Sequence, residues 1–175
     1  MSPPLKTLLD VPKAVYRVRL GFLLGHRFLL LTHRGRRSGR LYRTVLEVVR
    51  WDAERGEAVV MSGWGRRAGW YRNVRAGGAV EVRIGRERFA PGVRELEPEE
   101  AVSVLGGYER RNRLAAPVVR AVLSRLAGFR YDGSPDARLR VVETLPLLGL
   151  RRPHDLASAQ ESPAPTSTAS GGSSG

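Results

Sequence analysis

From residue 28 to residue 96 the chain passes through five short stretches of β-character, each closed by glycine or a polar turn. That succession narrows the accessible folds more than any other feature. The stretches are residues 28–31, 45–51, 57–61, 79–84 and 87–96. Residues 79–84 alternate cleanly, with Val80, Val82 and Ile84 on one face and Glu81 and Arg83 on the other, as a half-buried strand requires. The polar turn 52–56 and the pair Gly85-Arg86 are too short for a parallel crossover, so the strands they join are antiparallel. Nothing repeats as strand–helix–strand, and no G-x-G-x-x-G opens a helix after a strand. A doubly wound nucleotide-binding fold is therefore not expected. The pattern fits an α+β, mainly β, antiparallel barrel.

Helices interrupt this β pattern. Residues 5–20 suit an amphipathic N-terminal helix, since Leu8, Val11, Val15 and Val18 recur at three- and four-residue steps. A short helix is expected over residues 69–76, ending before Gly77-Gly78. Pro98, Glu99 and Glu100 place proline and acids in a first turn, which opens another helix. A further amphipathic helix follows, with Ala115, Val118, Val119, Val122 and Leu126 as its apolar stripe, and residues 145–150 read as the last strand. We expect one domain over residues 1–153 and a disordered Pro/Ser/Thr/Gly-rich tail over residues 154–175.

Two of the connections carry chemistry. Residues 32–44 (THRGRRSGRLYRT) hold five arginines, Arg34, Arg36, Arg37, Arg40 and Arg43, with Gly35, Gly39 and Ser38. Glycine lets backbone N–H groups approach a ligand, guanidinium forks match phosphate or carboxylate oxygens, and the serine hydroxyl adds a donor. Such a segment is an anion cradle or a solvated basic hairpin. A second segment, residues 62–78 (SGWGRRAGWYRNVRAGG), leaves an adjacent strand with Arg66 and Arg67 and an aromatic–amide patch, Trp70-Tyr71-Arg72-Asn73. Two such loops can converge on one ligand with a negative end, and the aromatics can cover a flat ring at its other end.

In order and spacing, Gly35-Arg36-Arg37-Ser38-Gly39, Arg43, Ser62-Gly63 and Trp70-Tyr71-Arg72-Asn73-Val74 with Ala76 form a pattern. It resembles the deazaflavin-dependent nitroreductase family of the flavin/deazaflavin oxidoreductase superfamily, over roughly residues 28–153. The resemblance implies a split β-barrel of the FMN-binding type and a reaction carried by reduced coenzyme F420. It implies hydride transfer to a quinone-like, nitroaromatic or activated alkene acceptor. Arg36, Arg37, Ser38 and Gly39 match the family's phosphate-binding loop, and Arg43 the arginine beyond it. Ser62 and Gly63 match the strand end facing the ring, Arg66 or Arg67 a basic residue near the cofactor tail, and Trp70 and Asn73 the helix that follows. Tyr108 and Tyr131 are the candidates for an acceptor pocket, with a half-buried core tyrosine as the alternative for each. The chain departs from the common pattern at Arg37, where lysine is frequent, and at Ala68-Gly69, where Asn-Pro-Ala is common. It also lacks the spaced tyrosines of nitro-reducing members after Tyr108, which turns expectation toward a quinone or another activated alkene or carbonyl. An FMN-binding barrel enzyme and a non-catalytic cofactor- or lipid-binding protein are the alternative readings.

Composition sets outer bounds. The chain has 175 residues, enough for one domain with a substantial core. It has no cysteine, which excludes disulfides, a thiolate nucleophile and zinc–thiolate sites. His26, His33 and His154 are scattered without ligating neighbours, so no metal site is expected. The formal net charge of +13 suits polyanionic partners. No helix-turn-helix, zinc-finger or RNP-type sequence accompanies it, and nucleic acid is not the expected partner. A small-molecule electron acceptor is expected, with a monomer or homodimer in the cytoplasm; the basic N-terminal segment is expected to pack on the barrel, with peripheral contact to an anionic membrane as the alternative.

Overall fold

The computed structural model describes residues 26–153. The expected N-terminal helix and the tail 154–175, with His154, lie outside the described residues. Seven strands form one antiparallel sheet: β1 (Phe28–Arg34), β2 (Leu41–Asp52), β3 (Glu57–Met61), β4 (Ala79–Ile84), β5 (Glu87–Phe89), β6 (Gly92–Glu95) and β7 (Leu147–Arg151). They are hydrogen-bonded in the order β5-β4-β1-β2-β3-β7-β6. Four α-helices accompany them: α1 (Gly69–Asn73) after β3, then α2 (Pro98–Arg111), α3 (Ala116–Ala127) and α4 (Pro135–Thr144) between β6 and β7.

The stretch 87–96 is not one strand, as the sequence suggested. It breaks at Ala90-Pro91, because proline has no N–H to continue a ladder. β5 pairs with β4, whereas β6 crosses to pair with β7. These are the two edges of the sheet, yet three Cα–Cα steps from Phe89 to Gly92 span at most about 11 Å. The sheet must therefore curl until its edges nearly meet, which makes a split β-barrel. β2 takes part in both halves and carries a register shift between Val48 and Arg50 against β3.

Alternation along the strands sends Leu29, Leu31, Leu46, Val48, Val82 and Ile84 into the barrel, where they pack with Trp70, Tyr71 and Val74. A second core lies outside it, where Val49, Val59 and Leu147 meet Val104 and Leu105 of α2, Leu123 of α3, and Val141 and Val142 of α4. β3 is covered on both faces, which explains its unbroken apolar run.

Two helical expectations change. α4 was not foreseen, although Ser134 caps it by accepting from Ala137 N at 3.2 Å, with Pro135 in its first turn. In α3 the inward residue is Leu123, with Val119 and Leu126 beside it. Ala115, Val118 and Val122, read as part of the apolar stripe, face outward. Val118, Val119, Val122, Leu123 and Leu126 admit two adjacent stripes, and only contact with α2 and α4 selects between them.

Candidate active site

The β1–β2 ladder runs as far as Arg34 opposite Leu41, so the basic turn is residues 35–40, shorter than the sequence suggested. Gly35 N donates to Arg40 O at 2.8 Å, and Gly39 N donates to Gly35 O at 2.8 Å. Gly39 takes φ +66°, a conformation that costs an L-residue with a side chain. Ser38 Oγ lies 3.3 Å from the Tyr42 hydroxyl and accepts from Arg40 N at 3.4 Å. The backbone N–H groups of Arg37 and Ser38 make no hydrogen bond among the described residues. Arg43 lies on β2 opposite Thr32, on the sheet face away from the barrel interior.

Asn73, the last residue of α1, braces this turn. Its Oδ1 accepts from Arg36 N at 3.2 Å and from Arg36 Nη1 at 3.1 Å. Its Nδ2 lies 3.1 Å from His33 Nδ1, and His33 Nε2 lies 3.1 Å from Thr44 Oγ1. An amide nitrogen only donates, so His33 Nδ1 is the acceptor, and the ring carries its proton on Nε2 and donates it to Thr44. Burial holds His33 below the ordinary histidine value, which favours this neutral ring. The brace needs close backbone approach: a Cβ on Gly78 would stand 2.6 Å from Arg34 O and 2.7 Å from Asn73 O.

The electrostatics of the turn are one-sided. Desolvation, then the neighbouring charges of Arg72 and Arg37, hold the Arg36 guanidinium below its ordinary value, and no carboxylate opposes them. Arg36, Arg37 and Arg72 thus form a cationic group without a protein counter-ion, beside two backbone donors. The chemistry of such an arrangement suits a phosphate or carboxylate. Neither Arg72 nor His33 was among the cofactor-binding residues expected from the sequence. Arg72 stands next to Asn73 within the quoted motif, whereas His33 carried no local signal.

The other candidates separate by location. Ser62 is fully buried and donates from Oγ to Gly65 O at 2.7 Å, so it shapes the strand exit. A Cβ on Gly63 would stand 3.4 Å from Leu126 Cδ1, so this glycine meets α3. Arg66 is spoken for: its Nη2 lies 2.7 Å from Glu95 Oε1, and its Nη1 donates to the Tyr71 hydroxyl at 2.9 Å. Arg67 is exposed and makes no ion pair among the described residues. Trp70 is a core residue, edge-on to Tyr71. Tyr131 is buried in the second core and donates to Glu109 Oε1 at 2.7 Å, with Arg138 Nε on the other carboxylate oxygen at 2.6 Å.

Tyr108 alone of the two tyrosines meets open space. A cavity of about 420 Å³ lies between β2 and α2, lined by Tyr108, Glu47, Trp51, Arg111, Asn112 and the stacked ring of His26, among others. Tyr108 donates to Glu47 Oε1 at 2.8 Å. Burial, reinforced by the Glu47 charge, pushes its phenol well above the ordinary value, so the hydroxyl keeps its proton. Glu47 lies seven residues along β2 from Arg40, about 23 Å at the rise of an extended strand. Between turn and cavity, half-buried Leu30 and Val45 pair across the outward face of β1 and β2.

A model of the F420H(2)-dependent quinone reductase family matches residues 14–117. Comparison with curated proteins gives no match. Among solved structures, an F420-H2 dependent reductase (FDR-A) is 20% identical, with a TM-score of 0.42, 73% of this chain and 96% of that one being covered. A protein of unknown function from Agrobacterium tumefaciens, Atu2129, is 16% identical over 89% of this chain and 63% of that one, with a TM-score of 0.47. A pyridoxamine 5'-phosphate oxidase-related, FMN-binding protein from Nostoc punctiforme is 14% identical over 86% and 81%, with a TM-score of 0.38.

Proposed function

The chain belongs to the F420H(2)-dependent quinone reductase family, an oxidoreductase family, and from that premise we propose that the turn at residues 35–40 binds the anionic part of coenzyme F420 while the cavity beside Tyr108 receives a quinone. Coenzyme F420 is a deazaflavin carrying a phosphate and an oligoglutamate tail, and in its reduced form it supplies a hydride. The observation that carries the reading is the Arg36, Arg37 and Arg72 group, which lacks any carboxylate and is braced by Asn73. Its donors suit a phosphate, and Ser38 adds a hydroxyl. Gly39 supplies the left-handed backbone that closes the turn. Arg67 and Arg43 are free to meet further negative charge on the tail.

Leu30 and Val45 offer a flat apolar floor between turn and cavity, with Ser62 and Gly63 at the neighbouring strand exit. Trp70 and Asn73 act from beneath, one by packing in the barrel and the other by fixing Arg36. At the far end the Tyr108 hydroxyl, kept protonated and turned from Glu47, holds an oxygen of the acceptor by a hydrogen bond, and the proton that accompanies the hydride comes from solvent. A quinone suits this end because Trp51 and His26 provide aromatic surface and Arg111 a positive charge. Nitroaromatic and activated alkene acceptors belong to the same set to be screened.

The test is a fluorescence titration of the purified protein with coenzyme F420, repeated on Arg37→Ala/Arg72→Ala. Both side chains are exposed, so the thermal midpoint should not move. Saturable binding by the parent and loss of affinity of about tenfold or more in the variant is the expected result. Equal affinities would remove the cationic turn from the site.

A further inference from the structure

Tyr42 stands at the foot of the basic turn and has no role in the function proposed above. It is 46% exposed, yet its ring is held by two neighbours. Across the β1–β2 ladder it pairs with His33, and the two rings stack with centroids 5.8 Å apart and planes 21° apart. It also lies against the backbone of Gly35, where a Cβ would stand 2.8 Å from Tyr42 Cε2 and 2.7 Å from Ser38 Oγ. The glycine thus leaves the space in which the two side chains meet. There the Tyr42 hydroxyl comes within 3.3 Å of Ser38 Oγ.

The donors and acceptors present give this contact a direction. Ser38 Oγ has two lone pairs and one proton, and one lone pair accepts from Arg40 N at 3.4 Å. The bond to Tyr42 uses one of the two hydroxyl protons. If Ser38 donates it, the serine has nothing left to offer a ligand. If Tyr42 donates it, the second lone pair of Ser38 is filled and the serine proton is left for a ligand, as are the N–H groups of Arg37 and Ser38. An anion only accepts, so a phosphate against Ser38 selects the second arrangement. Donors running in one sense, from Tyr42 to Ser38 to the anion, then strengthen one another. We propose that Tyr42 is a positioning residue of the anion site: its hydroxyl donates to Ser38 Oγ and fixes the serine as a donor to the phosphate of the cofactor. This role rests on the function proposed above and adds to it a residue that acts through Ser38. With phenylalanine at position 42 the ring contacts remain, but the Ser38 hydroxyl is free to turn between ligand and solvent.

The test is a cycle of Tyr42→Phe, Ser38→Ala and the double variant, all in the full chain. Each is titrated with coenzyme F420 and with the same deazaflavin lacking the phosphate and tail. Tyr42→Phe keeps the ring contacts with His33 and Gly35, so its thermal midpoint should match the parent's. Ser38→Ala should weaken coenzyme F420 binding about tenfold, and Tyr42→Phe about three- to tenfold. The double variant should bind no more weakly than Ser38→Ala, because the phenol acts only through the serine. Affinity for the phosphate-free deazaflavin should stay at the parent level throughout. Losses that multiply in the double variant overturn the positioning role, since Tyr42 then acts independently of Ser38. An equal loss toward the phosphate-free compound overturns it too, because the change then lies outside the anion donors. A parent that prefers the phosphate-bearing cofactor, with Tyr42→Phe keeping that preference in full, overturns the role of Tyr42 alone. A parent that binds both deazaflavins equally, or neither, overturns the anion site and the role of Tyr42 with it.

Discussion

Replacing Asn73 by alanine should uncouple the basic turn from the barrel. Asn73 is buried and its amide serves two loops at once. Removing it deletes two hydrogen bonds to Arg36, each worth about 0.5–1.5 kcal/mol, and leaves the buried His33 Nδ1 without a donor, at about 1–3 kcal/mol. A loss of roughly 3 kcal/mol follows, which lowers the thermal midpoint of a domain this size by about 10 °C. Arg36 is then free to swing away from Arg37 and Arg72, so affinity for coenzyme F420 should fall as well. Asn73→Asp separates the two effects. Its carboxylate can accept from Arg36, but it can pair with His33 only when His33 takes up a proton on Nδ1 and donates it. Asn73→Asp should therefore be more stable, relative to the parent, in mildly acidic than in alkaline buffer, and the new negative charge should weaken anion binding throughout. Thermal unfolding and fluorescence titration, each at two pH values, read all of this. An Asn73→Ala variant with the parent's midpoint and affinity would refute the brace.

His33 predicts a pH dependence of its own. Its folded-state value lies below 6.5, so the unfolded chain takes the proton first, and stability that is full above that pH declines as the pH falls below it. Urea unfolding across this range should show the slope in the parent and lose it in His33→Asn. A second acid limit comes from Glu57, fully buried against Arg94 at 2.7 Å and Arg151 at 2.6 Å, and from Glu100, which Arg94 holds down at about 2. For Glu57, desolvation works against ionisation, but the hydrogen bonds from Arg94 and Arg151 outweigh it and lower its value. Both carboxylates stabilise above the ordinary glutamate range, and that stability is lost as the pH falls below it, for Glu100 through about 2. Glu57→Gln, measured at neutral pH, should cost about 3 kcal/mol, since it takes the counter-charge from the partly buried Arg151, while Arg94 and Arg50 keep Glu100. Tyr108→Phe should leave the cofactor affinity unchanged while lowering turnover with quinone, and an effect on cofactor affinity alone would move Tyr108 out of the acceptor pocket.

The β pattern could be read in advance because strand alternation and turn residues are local signals. Val80, Val82 and Ile84 against Glu81 and Arg83 announce β4 without any tertiary information. The partner switch at Ala90-Pro91 is not local: a proline marks the break, but only the paired edges show that β6 belongs to the far side of the barrel. α3 offered two apolar stripes, and burial against α2 and α4 chose the one through Val119 and Leu123. The candidate site divides in the same way. Arg36, Arg37, Ser38 and Gly39 stand together in sequence and in space. Arg66 resembled a ligand residue, yet Glu95, distant in sequence, holds it. His33 became part of the site only through Asn73, forty positions away in sequence.

The most direct test of the account is anaerobic turnover: reduced coenzyme F420, a soluble naphthoquinone and the purified protein, followed by the return of the oxidised deazaflavin's absorbance. The account predicts protein-dependent oxidation by the parent, reduced by an order of magnitude or more in Arg36→Ala/Arg37→Ala at limiting cofactor. Oxidation at the protein-free rate, or at the parent rate in the variant, would contradict it.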